Sequence, residues 1–506
     1  MFTRIKTATL EGVEGTAVTV ETDVRMGLPS FRVVGLADTT IKEAGSRIKP
    51  AILNSGLEFP DKRVTVNLVP AGRHKEGTHF DLPIAVALMD IAREPEDTAF
   101  LGELSLDGRL NSIKGALPLV LCLRKNGIRR VILPSGNAEE ASVLEDIEIL
   151  AADSLEQVVK HIRGIEEISV YTRRKRALRA EWDVDFSQVI GQEAVKRAVT
   201  ISAAGKHGIL MMGGPGCGKT MIARRIPTIL PELTYDEKLE ITGVYSVAGM
   251  LTEEQPVIDR RPFRGPHHTV TVTGLLGGGI KPRPGEMSLA HKGVLFLDEL
   301  GEFDSKVIDA MRQPAEEGVI RLMRNSFEVA FPADVMIVAA ANPCKCGYLW
   351  DDRRICTCSP KQLDSYKKKL NGPFSDRIDM HIKMSPVEKE IIEKGIYRQK
   401  AMSSEDMRIQ VQQAVEVQKL RYAGTRYTCN GGLDEKGLEE FCSLDSEGTA
   451  IMSAAYDKLG LSMRACSRLI KVARTIADME GSRQIRQEHM AESLIYRISE
   501  GERERL

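Results

Sequence analysis

The residues with the clearest chemical signature lie in one glycine-rich segment, GILMMGGPGCGKTMIARRI. The segment fits the pattern G-x-x-x-x-G-K-[ST], in which backbone N–H groups, a lysine and a hydroxyl surround the phosphates of a nucleotide. The lysine is expected to reach the β- and γ-phosphates, and the threonine hydroxyl is expected to bind Mg²⁺. The predicted ATP-contacting residues of this loop are Gly213, Gly214, Pro215, Gly216, Cys217, Gly218, Lys219 and Thr220.

An adjacent acidic pair, Asp298 and Glu299, follows the apolar run VLFL. A carboxylate at the end of a buried strand, downstream of a phosphate-binding loop, is placed to hold Mg²⁺, so Asp298 is predicted to be a metal ligand together with Thr220. Glu299 is a natural base for polarising water. This combination favours ATP hydrolysis over nucleotide storage.

Four of the nine cysteines lie between positions 344 and 358. They form two Cys-x-Cys pairs, Cys344 with Cys346 and Cys356 with Cys358. Four thiolates match tetrahedral Zn²⁺ and leave no open coordination position, so a structural rather than a catalytic zinc is predicted. The alternative is a set of reduced packing or redox-sensitive cysteines, because C-x-C spacing is less diagnostic than C-x-x-C.

These residues need strands and helices of an α/β protein to position them. GILMM is predicted to be a strand and MIARRIPTIL the helix that follows it, while GTAVTVETDV and RVTVNLVP alternate like further strands. The chain of 506 residues is long enough for three or four domains. The predicted organisation is an α/β domain (1–163), a basic linker (164–186), an ATPase core with a parallel sheet (187–385) and a helical lid (386–506).

The overall charge excludes a protein that coats DNA with basic surface, because 70 Lys and Arg face 71 Asp and Glu. Any nucleic-acid site must therefore be local, and the basic stretch 171–179 is either a solvated linker or a phosphate-contacting arm. No apolar run is long enough to span a bilayer, so no membrane partner is expected. The start MFTRIKTATLEGVEG lacks the layout of a signal peptide, and a cytoplasmic protein is predicted.

Further motifs resemble those of AAA+ ATPases. IVAAANP resembles the sensor-1 strand, GPFSDRIDMH an arginine-finger segment, and LSMRACSRL the sensor-2 helix of a lid. RPFRGPHHTVTVTGLLGGGIKPRPGEMSLAHKGVLFLDELGEF and NPCKCG resemble the magnesium-chelatase-like YifB/ComM family, and the resemblance covers almost the whole chain. It implies a Lon-protease-like, S5-type N-terminal domain. That domain is expected not to be a peptidase, because His79 occupies the position of the nucleophilic serine and Thr78 is displaced from it.

The resemblance also implies roles for individual residues in the ATP site. Asn342 would lie near the γ-phosphate and the attacking water, and Arg377 would reach into the site of a neighbouring subunit. Arg464 would contact the nucleotide from the lid, although Arg468 lies on the same helix face and is the alternative. The residues expected to pack near the adenine are Ile190, Gly191 and Gln192.

The family resemblance predicts a homo-hexameric DNA motor that drives branch migration in recombination during natural transformation, with single-stranded or branched DNA bound without sequence preference. The segment VIRLMRNSFEVAF is predicted to be a hairpin that in related helicases points into the channel, which makes Arg324 and then Arg321 candidate DNA contacts. His267 and His268 are either structural or face phosphates or the pore. The alternatives are a chelatase-like motor acting on a protein or metal-insertion partner, a peptidase, and a nucleotide-gated scaffold.

Overall fold

The computed structural model describes residues 1–89, 97–173, 182–324, 327–351, 354–370, 374–386 and 401–497. Seven of the described strands up to Ala152 form one sheet, and five of the described strands between Ile209 and Met384 form a second sheet. The regular elements of the described chain from Ser404 onward are helices. The α/β fold class predicted from the sequence is confirmed.

The first sheet has the strand order β3-β4-β2-β1-β5-β8-β9 and is mixed, because β1, β2 and β4 pair antiparallel and the outer strands pair parallel. The elements of this part are β1 (Phe2–Glu11), β2 (Glu14–Arg25), β3 (Ser30–Val34), α1 (Thr39–Lys42), α2 (Ala44–Asn54), β4 (Arg63–Val69), α3 (Asp81–Leu88), β5 (Thr98–Phe100), β6 (Glu103–Leu104), β7 (Leu110–Asn111), α4 (Ala116–Lys125), β8 (Arg130–Pro134), α5 (Ser135–Ala141), β9 (Glu148–Ala152) and α6 (Leu155–Ile162). Among the described strands, β6 and β7 pair only with each other, as a small antiparallel hairpin.

The second sheet is parallel throughout its described strands, in the order β11-β14-β17-β10-β18. Its central strands are apolar along their whole length, as expected for a parallel sheet covered on both faces. The elements of this part are α7 (Glu193–Gly205), β10 (Ile209–Gly213), α8 (Lys219–Ala223), α9 (Ile226–Ile229), α10 (Tyr235–Ala248), β11 (Phe263–Arg264), α11 (Val272–Leu276), β12 (Gly277–Gly278), β13 (Arg283–Pro284), α12 (Glu286–Leu289), β14 (Val294–Leu297), α13 (Ser305–Ala310), α14 (Arg312–Glu317), β15 (Val319–Arg324), β16 (Phe327–Pro332), β17 (Met336–Ala341), α15 (Pro360–Leu370) and β18 (Met380–Met384).

The register of the parallel strands brings three loops to one edge of the sheet. Met212 pairs with Ala341, and Leu297 pairs with Ala339, so β10, β14 and β17 end close together. Ligands of open α/β sheets bind outside the carboxyl ends of the strands. The phosphate-binding loop, the acidic pair and the sensor-1 asparagine follow these three ends.

The helix predicted for MIARRIPTIL is interrupted. The chain forms α8 and then α9, with Pro227 in the first turn of the second helix. Proline has no backbone N–H and therefore cannot continue the hydrogen-bond ladder of the preceding helix.

The C-terminal helices share a hydrophobic core with the five-stranded sheet. Met407, Val411, Val472 and Ile476 are buried in the same cluster as strands β10 and β17. These helices are α16 (Ser404–Arg421), α17 (Glu435–Phe441), α18 (Ser446–Leu459), α19 (Met463–Met479) and α20 (Gln487–Ile495). In the described part of the chain, no helix combines the length and the apolar composition needed to cross a membrane.

The N-terminal sheet is attached to the second sheet through α10. Leu239 of this helix is buried in the core cluster of α4 and β8. The hydroxyl of Ser246 donates a hydrogen bond to the buried carboxyl of Glu140 at 2.7 Å, and the Tyr235 hydroxyl donates to the carbonyl of Val143 at 3.0 Å. Because the contact combines apolar burial with satisfied polar groups, the two sheets are packed together rather than merely joined by a linker.

Candidate functional site

The glycine-rich loop between β10 and α8 surrounds the side chain of Lys219. The ammonium group donates hydrogen bonds to the carbonyl oxygens of Gly213 and Gly214 at 2.5 and 3.0 Å. It also donates to Asn342 Oδ1 at 3.0 Å, and burial lowers the pKa of Lys219. Gly218, which precedes the helix, has a φ of +85°, a backbone conformation that favours glycine. A cation and the start of a helix thus converge at one point, as phosphate binding requires.

The remaining loop residues connect this cation to the protein core. Cys217 is 6% exposed and belongs to the core cluster of the five-stranded sheet. Gly216 has a φ of +80°, and Pro215 contacts the segment that follows Asn342. Apolar packing of Cys217 therefore anchors the loop to the core, and the segment after Asn342 contacts the loop at Pro215.

Thr220 and Asp298 meet at the edge of the sheet. The Thr220 hydroxyl donates a hydrogen bond to Asp298 Oδ2 at 2.8 Å. The other carboxylate oxygen of Asp298 accepts from the backbone N–H of Glu299 at 3.0 Å. Hydroxyl and carboxylate oxygens are the ligands that Mg²⁺ prefers, so this pair fits a magnesium ion bound next to the phosphates.

Glu299 contacts a histidine that the sequence did not connect with it. Nδ1 of His268 lies 3.5 Å from Oε2 of Glu299, and its ring centroid is 4.0 Å from that of His267. The Nδ1 atom of His267 in turn hydrogen-bonds to the Thr269 hydroxyl at 2.8 Å. One histidine of the pair therefore faces the predicted base. No local pattern indicates this contact, because α11, α12 and β14 lie between the two residues in sequence.

Asn342 is held by a tyrosine that the sequence analysis missed. Tyr366 of α15 hydrogen-bonds to the backbone of Asn342, and burial raises the pKa of this tyrosine to about 12. A Cβ added at Gly301, next to the acidic loop, would lie 2.6 Å from Tyr366 Cε2. The tyrosine therefore packs between the sensor-1 residue and the loop that carries Glu299.

The segment predicted to lie near the adenine is attached to the helices after the phosphate-binding loop. Gly191 and Gln192 have φ values of +66° and +61°, and the Gln192 amide donates to the Ser385 carbonyl at 2.6 Å. Arg225, between α8 and α9, donates to the Asp185 carbonyl at 2.8 Å. Ile190 is half-buried beside them. This places residues 185–192 next to the nucleotide loop.

The two predicted arginines, Arg377 and Arg464, lie in a separate cavity of about 1160 Å³ between the five-stranded sheet and the C-terminal helices. Arg377 Nε donates to Glu316 Oε1 at 2.6 Å, and Arg464 is exposed. Among the described residues that line the cavity, none belongs to the phosphate-binding loop. The cationic and the phosphate-binding halves of the predicted site are therefore apart within one chain.

Arg468, the alternative to Arg464, has a different environment. Its guanidinium donates to Asp379 Oδ1 at 2.7 Å and to the carbonyl oxygen of Arg377. Asp379 also faces His207 at 3.3 Å, and these interactions lower the pKa of the aspartate against the effect of its burial. Arg468 therefore supports the loop that carries Arg377, and this favours Arg464 as the arginine that meets a nucleotide.

The predicted hairpin is present as β15 and β16, with Arg321 opposite Ala330. Arg321 forms ion pairs with Glu328 at 3.1 Å and Glu317 at 3.8 Å. The side chain of Arg324 lies outside the described residues, as do positions 325–326 and, in the basic stretch 171–179, positions 174–179. Of the two candidate DNA contacts, the structure thus describes only Arg321, and it shows its charge shared with two carboxylates.

The four cysteines of the 344–358 segment form a compact group whose sulfur atoms all lie within 4.8 Å of one another. The Sγ atom of Cys346 is 3.3 Å from that of Cys344 and 3.5 Å from that of Cys356. Tetrahedral zinc with Zn–S bonds of about 2.3 Å requires sulfur separations of roughly 3.8 Å. A hydrogen bond from the backbone N–H of Tyr348 lowers the pKa of Cys346, whereas burial raises the pKa of Cys344 and of Cys358. The residues therefore fit a bound Zn²⁺.

The residues of the N-terminal part that correspond to a protease site hydrogen-bond to other groups of the fold. The Thr78 hydroxyl donates to the carboxylate of Glu103, and the buried Lys75 ammonium donates to the Gly35 carbonyl at 3.0 Å. His79 is buried and hydrogen-bonds to the Ala8 carbonyl at 2.9 Å. These contacts give Thr78 an acidic partner instead of the lysine that would activate a hydroxyl nucleophile.

Family comparisons cover most of the chain in three segments. Residues 185–392 match the family described as magnesium chelatase, subunit ChlI, and residues 401–497 match the C-terminal part of that subunit. Residues 20–137 match a further family described as subunit ChlI of Mg-chelatase.

Individual relatives extend the similarity over nearly the full length. The chain is 39% identical over 497 residues to the competence protein ComM of Haemophilus influenzae, which covers 96% of this chain and 95% of the relative. It is 39% identical over 494 residues to YifB of Escherichia coli, with the same coverage. A magnesium-chelatase 67 kDa subunit of Heliobacterium mobile is 26% identical over 228 residues, covering 39% of this chain and 30% of the relative. The chain belongs to the ComM/YifB family of magnesium-chelatase-like AAA+ proteins.

Proposed function

We propose that this protein is an ATP-hydrolysing ring motor that moves branched DNA. Membership of a magnesium-chelatase-like AAA+ family suggests ATPase activity with nucleotide and Mg²⁺. The side chains of the site fit that chemistry: Lys219 would hold phosphates, and Thr220 with Asp298 would hold Mg²⁺, which when bound neutralises charge on the transferred phosphoryl group. Glu299 would take a proton from the attacking water, and Asn342 would orient that water.

The main support for a ring-shaped oligomer is that the arginine cavity and the phosphate-binding loop lie apart within one chain. Arg377 and Arg464 line a cavity to which the phosphate-binding loop of the same chain contributes no described residue. An arginine stabilises phosphoryl transfer only where it reaches the phosphate, so in the proposed ring a second copy of the chain would supply the nucleotide that these arginines contact. Head-to-tail contacts of this kind close into rings when the rotation permits it, which supports the homo-hexamer implied by the family.

DNA is the substrate that the family resemblance implies. A ComM protein is named for competence, and the match to it spans nearly the whole chain. Arg321 and Arg324 on the β15–β16 hairpin would contact backbone phosphates without reading sequence, so binding would weaken as the salt concentration rises. Movement of this hairpin with the nucleotide state would then drive branch migration. A cytoplasmic location agrees with such a role.

A branch-migration assay on a three-strand junction tests this proposal directly. Wild type is expected to resolve the junction with ATP and Mg²⁺. Lys219→Ala is expected to bind DNA but to lose ATP hydrolysis and junction movement, because the phosphates lose the cation that would hold them. Arg324→Ala is expected to retain basal hydrolysis and lose DNA affinity, whereas Arg109→Ala, a surface change in the N-terminal sheet, serves as the control. Failure of wild type to move the junction with ATP would contradict the motor.

The alternative is a chelatase-like motor that acts on a protein or metal-insertion partner. The similarity to the Heliobacterium mobile magnesium-chelatase subunit favours it. The two candidates differ in one inexpensive measurement, the dependence of ATP turnover on single-stranded DNA. Stimulation by DNA supports the DNA motor, and a turnover that is insensitive to DNA supports the protein-directed motor.

We also infer that Cys344, Cys346, Cys356 and Cys358 hold one structural Zn²⁺. The compact arrangement of the four sulfur atoms supports it. Metal analysis of protein purified without added metal is expected to give one zinc per chain. A chain that carries no zinc and takes up none would leave these cysteines as reduced packing residues.

A further inference from the structure

The cysteine segment lies directly against the phosphate-binding loop. A turn closed by a hydrogen bond from Gly347 N to the Cys344 carbonyl at 3.0 Å brings Gly347 onto Pro215. A Cβ added at Gly347 would lie 2.8 Å from Cδ of Pro215, and one added at Gly214 would lie 3.4 Å from the Gly347 carbonyl. The φ of Gly347 is +86°. The backbone of the cysteine segment therefore forms one wall of the loop.

The helix that follows the cysteine segment, α15, returns to the nucleotide site. α15 begins at Pro360, two residues after Cys358, and it carries Tyr366. This tyrosine hydrogen-bonds to the backbone of Asn342 and packs on Gly301 in the acidic loop. The segment from Asn342 to Tyr366 thus leaves the nucleotide site, passes through all four cysteines and comes back to the site.

A metal bound by the four cysteines would cross-link the two ends of the segment between Asn342 and Tyr366. It would join the Cys344–Cys346 end of the segment, which carries the Gly347 turn, to the Cys356–Cys358 end, which leads into α15. Cross-linking the two ends of a loop reduces the number of conformations the loop can adopt. Cys344 is buried and the other three cysteines are half-buried, so the link would sit partly inside the protein.

We propose that zinc in this cluster sets the nucleotide affinity of the ATP site, by holding Gly347 against Pro215 and Tyr366 against Asn342. The inference rests on the proposed zinc site and adds a regulatory role to it. A binding loop that is held in its bound conformation does not have to be ordered when the ligand arrives, so its affinity is higher. Loss or oxidation of the cysteines would then weaken ATP binding without touching a phosphate-contacting residue.

Two measurements on the full-length protein test this inference, zinc content by mass spectrometry and the Kd of a fluorescent, non-hydrolysable ATP analogue with Mg²⁺. Cys358→Ser is expected to lose zinc and to bind the analogue about 10-fold more weakly, as loss of preorganisation predicts. Cys122→Ser, which changes a cysteine of α4 outside the cluster, is expected to retain both the metal and the affinity. Circular dichroism and gel filtration establish that each variant is folded.

A second variant separates the contact from the metal. Gly347→Ala keeps all four cysteines and is expected to retain zinc, but its new methyl group would push on Pro215 and weaken binding of the analogue. Gly424→Ala is the matched control, since Gly424 has a φ of +76° and open space where a Cβ would be placed. It introduces similar backbone strain without a contact.

The outcomes are distinct. Weaker analogue binding in both Cys358→Ser and Gly347→Ala, with the two controls unchanged, supports the inference. A folded, zinc-free Cys358→Ser protein with wild-type affinity overturns it, and so does wild-type affinity in Gly347→Ala. Neither measurement uses DNA, so failure here is distinguishable from failure of the DNA motor, and wild-type protein without zinc would refute the metal site itself.

Discussion

The protonation state of single side chains in this protein, and their availability to a ligand, depend mainly on burial and on a small number of polar partners. Lys219 is half-buried and donates to three oxygen atoms, Arg377 is paired with Glu316, and Arg468 is paired with Asp379. Each pairing determines whether the side chain is free to meet a ligand or is engaged in the fold. His79 shows the same effect outside the nucleotide site, where burial lowers its pKa from 6.5 to about 4.

The buried His79 predicts a loss of stability in acid. Below pH 6.5 the unfolded chain binds a proton at this position, but the folded chain remains neutral until about pH 4. The free energy of unfolding therefore decreases as the pH is lowered through this window, by about 2 kcal/mol between pH 7.5 and pH 5. His79→Gln, which keeps a donor for the Ala8 carbonyl, is expected to remove this part of the pH dependence.

Urea unfolding at the two pH values measures this effect. A control substitution of the exposed His74 to Gln is expected to leave the pH dependence as it is in wild type. An equal loss of stability in wild type and His79→Gln would show that other groups govern the acid response.

Among the secondary-structure elements, the β1–β2 turn has an unexpected neighbour. Gly12 in this turn has a φ of +68°, and a Cβ added there would lie 2.7 Å from the Ala330 carbonyl and 2.9 Å from Val329. Val13 packs against the cluster that contains Phe331. The N-terminal sheet therefore touches the middle of the β15–β16 hairpin, which is the element proposed to contact DNA.

Disturbing the contact between Gly12 and β16 is expected to reduce the stimulation of ATP turnover by DNA and to leave turnover without DNA unchanged. Gly12→Val introduces a side chain that collides with β16, so the hairpin shifts while the nucleotide site is unchanged. The expected result is ATP turnover near the wild-type value without DNA and a several-fold smaller stimulation by single-stranded DNA. Gly56→Val is the control, because Gly56 has a φ of +71° but no atom within 4 Å of an added Cβ. Equal stimulation in both variants would mean that the turn does not influence the hairpin.

At the scale of the whole molecule, the division of the predicted ATP site between two surfaces supports the proposed ring, and mixed rings test it. Lys219→Ala and Arg377→Ala proteins are each expected to lose ATP turnover, Arg377→Ala by about 10³-fold. In mixed rings, an intact Lys219 from one subunit would meet an intact Arg377 from its neighbour at about a quarter of the interfaces for random 1:1 mixing. Turnover is therefore expected to recover in part.

The control mixes Lys219→Ala with the double variant Lys219→Ala/Arg377→Ala, in which no interface contains the lysine. This mixture is expected to remain inactive. If the first mixture also fails to recover although the subunits exchange, Arg377 acts on the nucleotide of its own chain or has no catalytic role.

The sequence by itself determined the features that depend on neighbouring residues. Lys219 and Thr220 lie in a strand–loop–helix pattern, Asp298 follows a buried apolar run, and both relationships extend over only a few residues. The alternation of RVTVNLVP was sufficient to predict β4. The family motifs, which are long and specific, led to the correct family.

Only the tertiary structure decided which distant groups meet. His268 faces Glu299, Tyr366 supports Asn342, and Gly347 lies on Pro215, yet no spacing in the sequence joins these partners. It also placed Arg377 beside Glu316, 61 residues earlier in the chain. The physical reason is that such contacts arise from the packing of elements that are far apart along the chain, which depends on sheet register and on the burial of apolar surface, whereas a motif records only the local backbone that its chemistry needs.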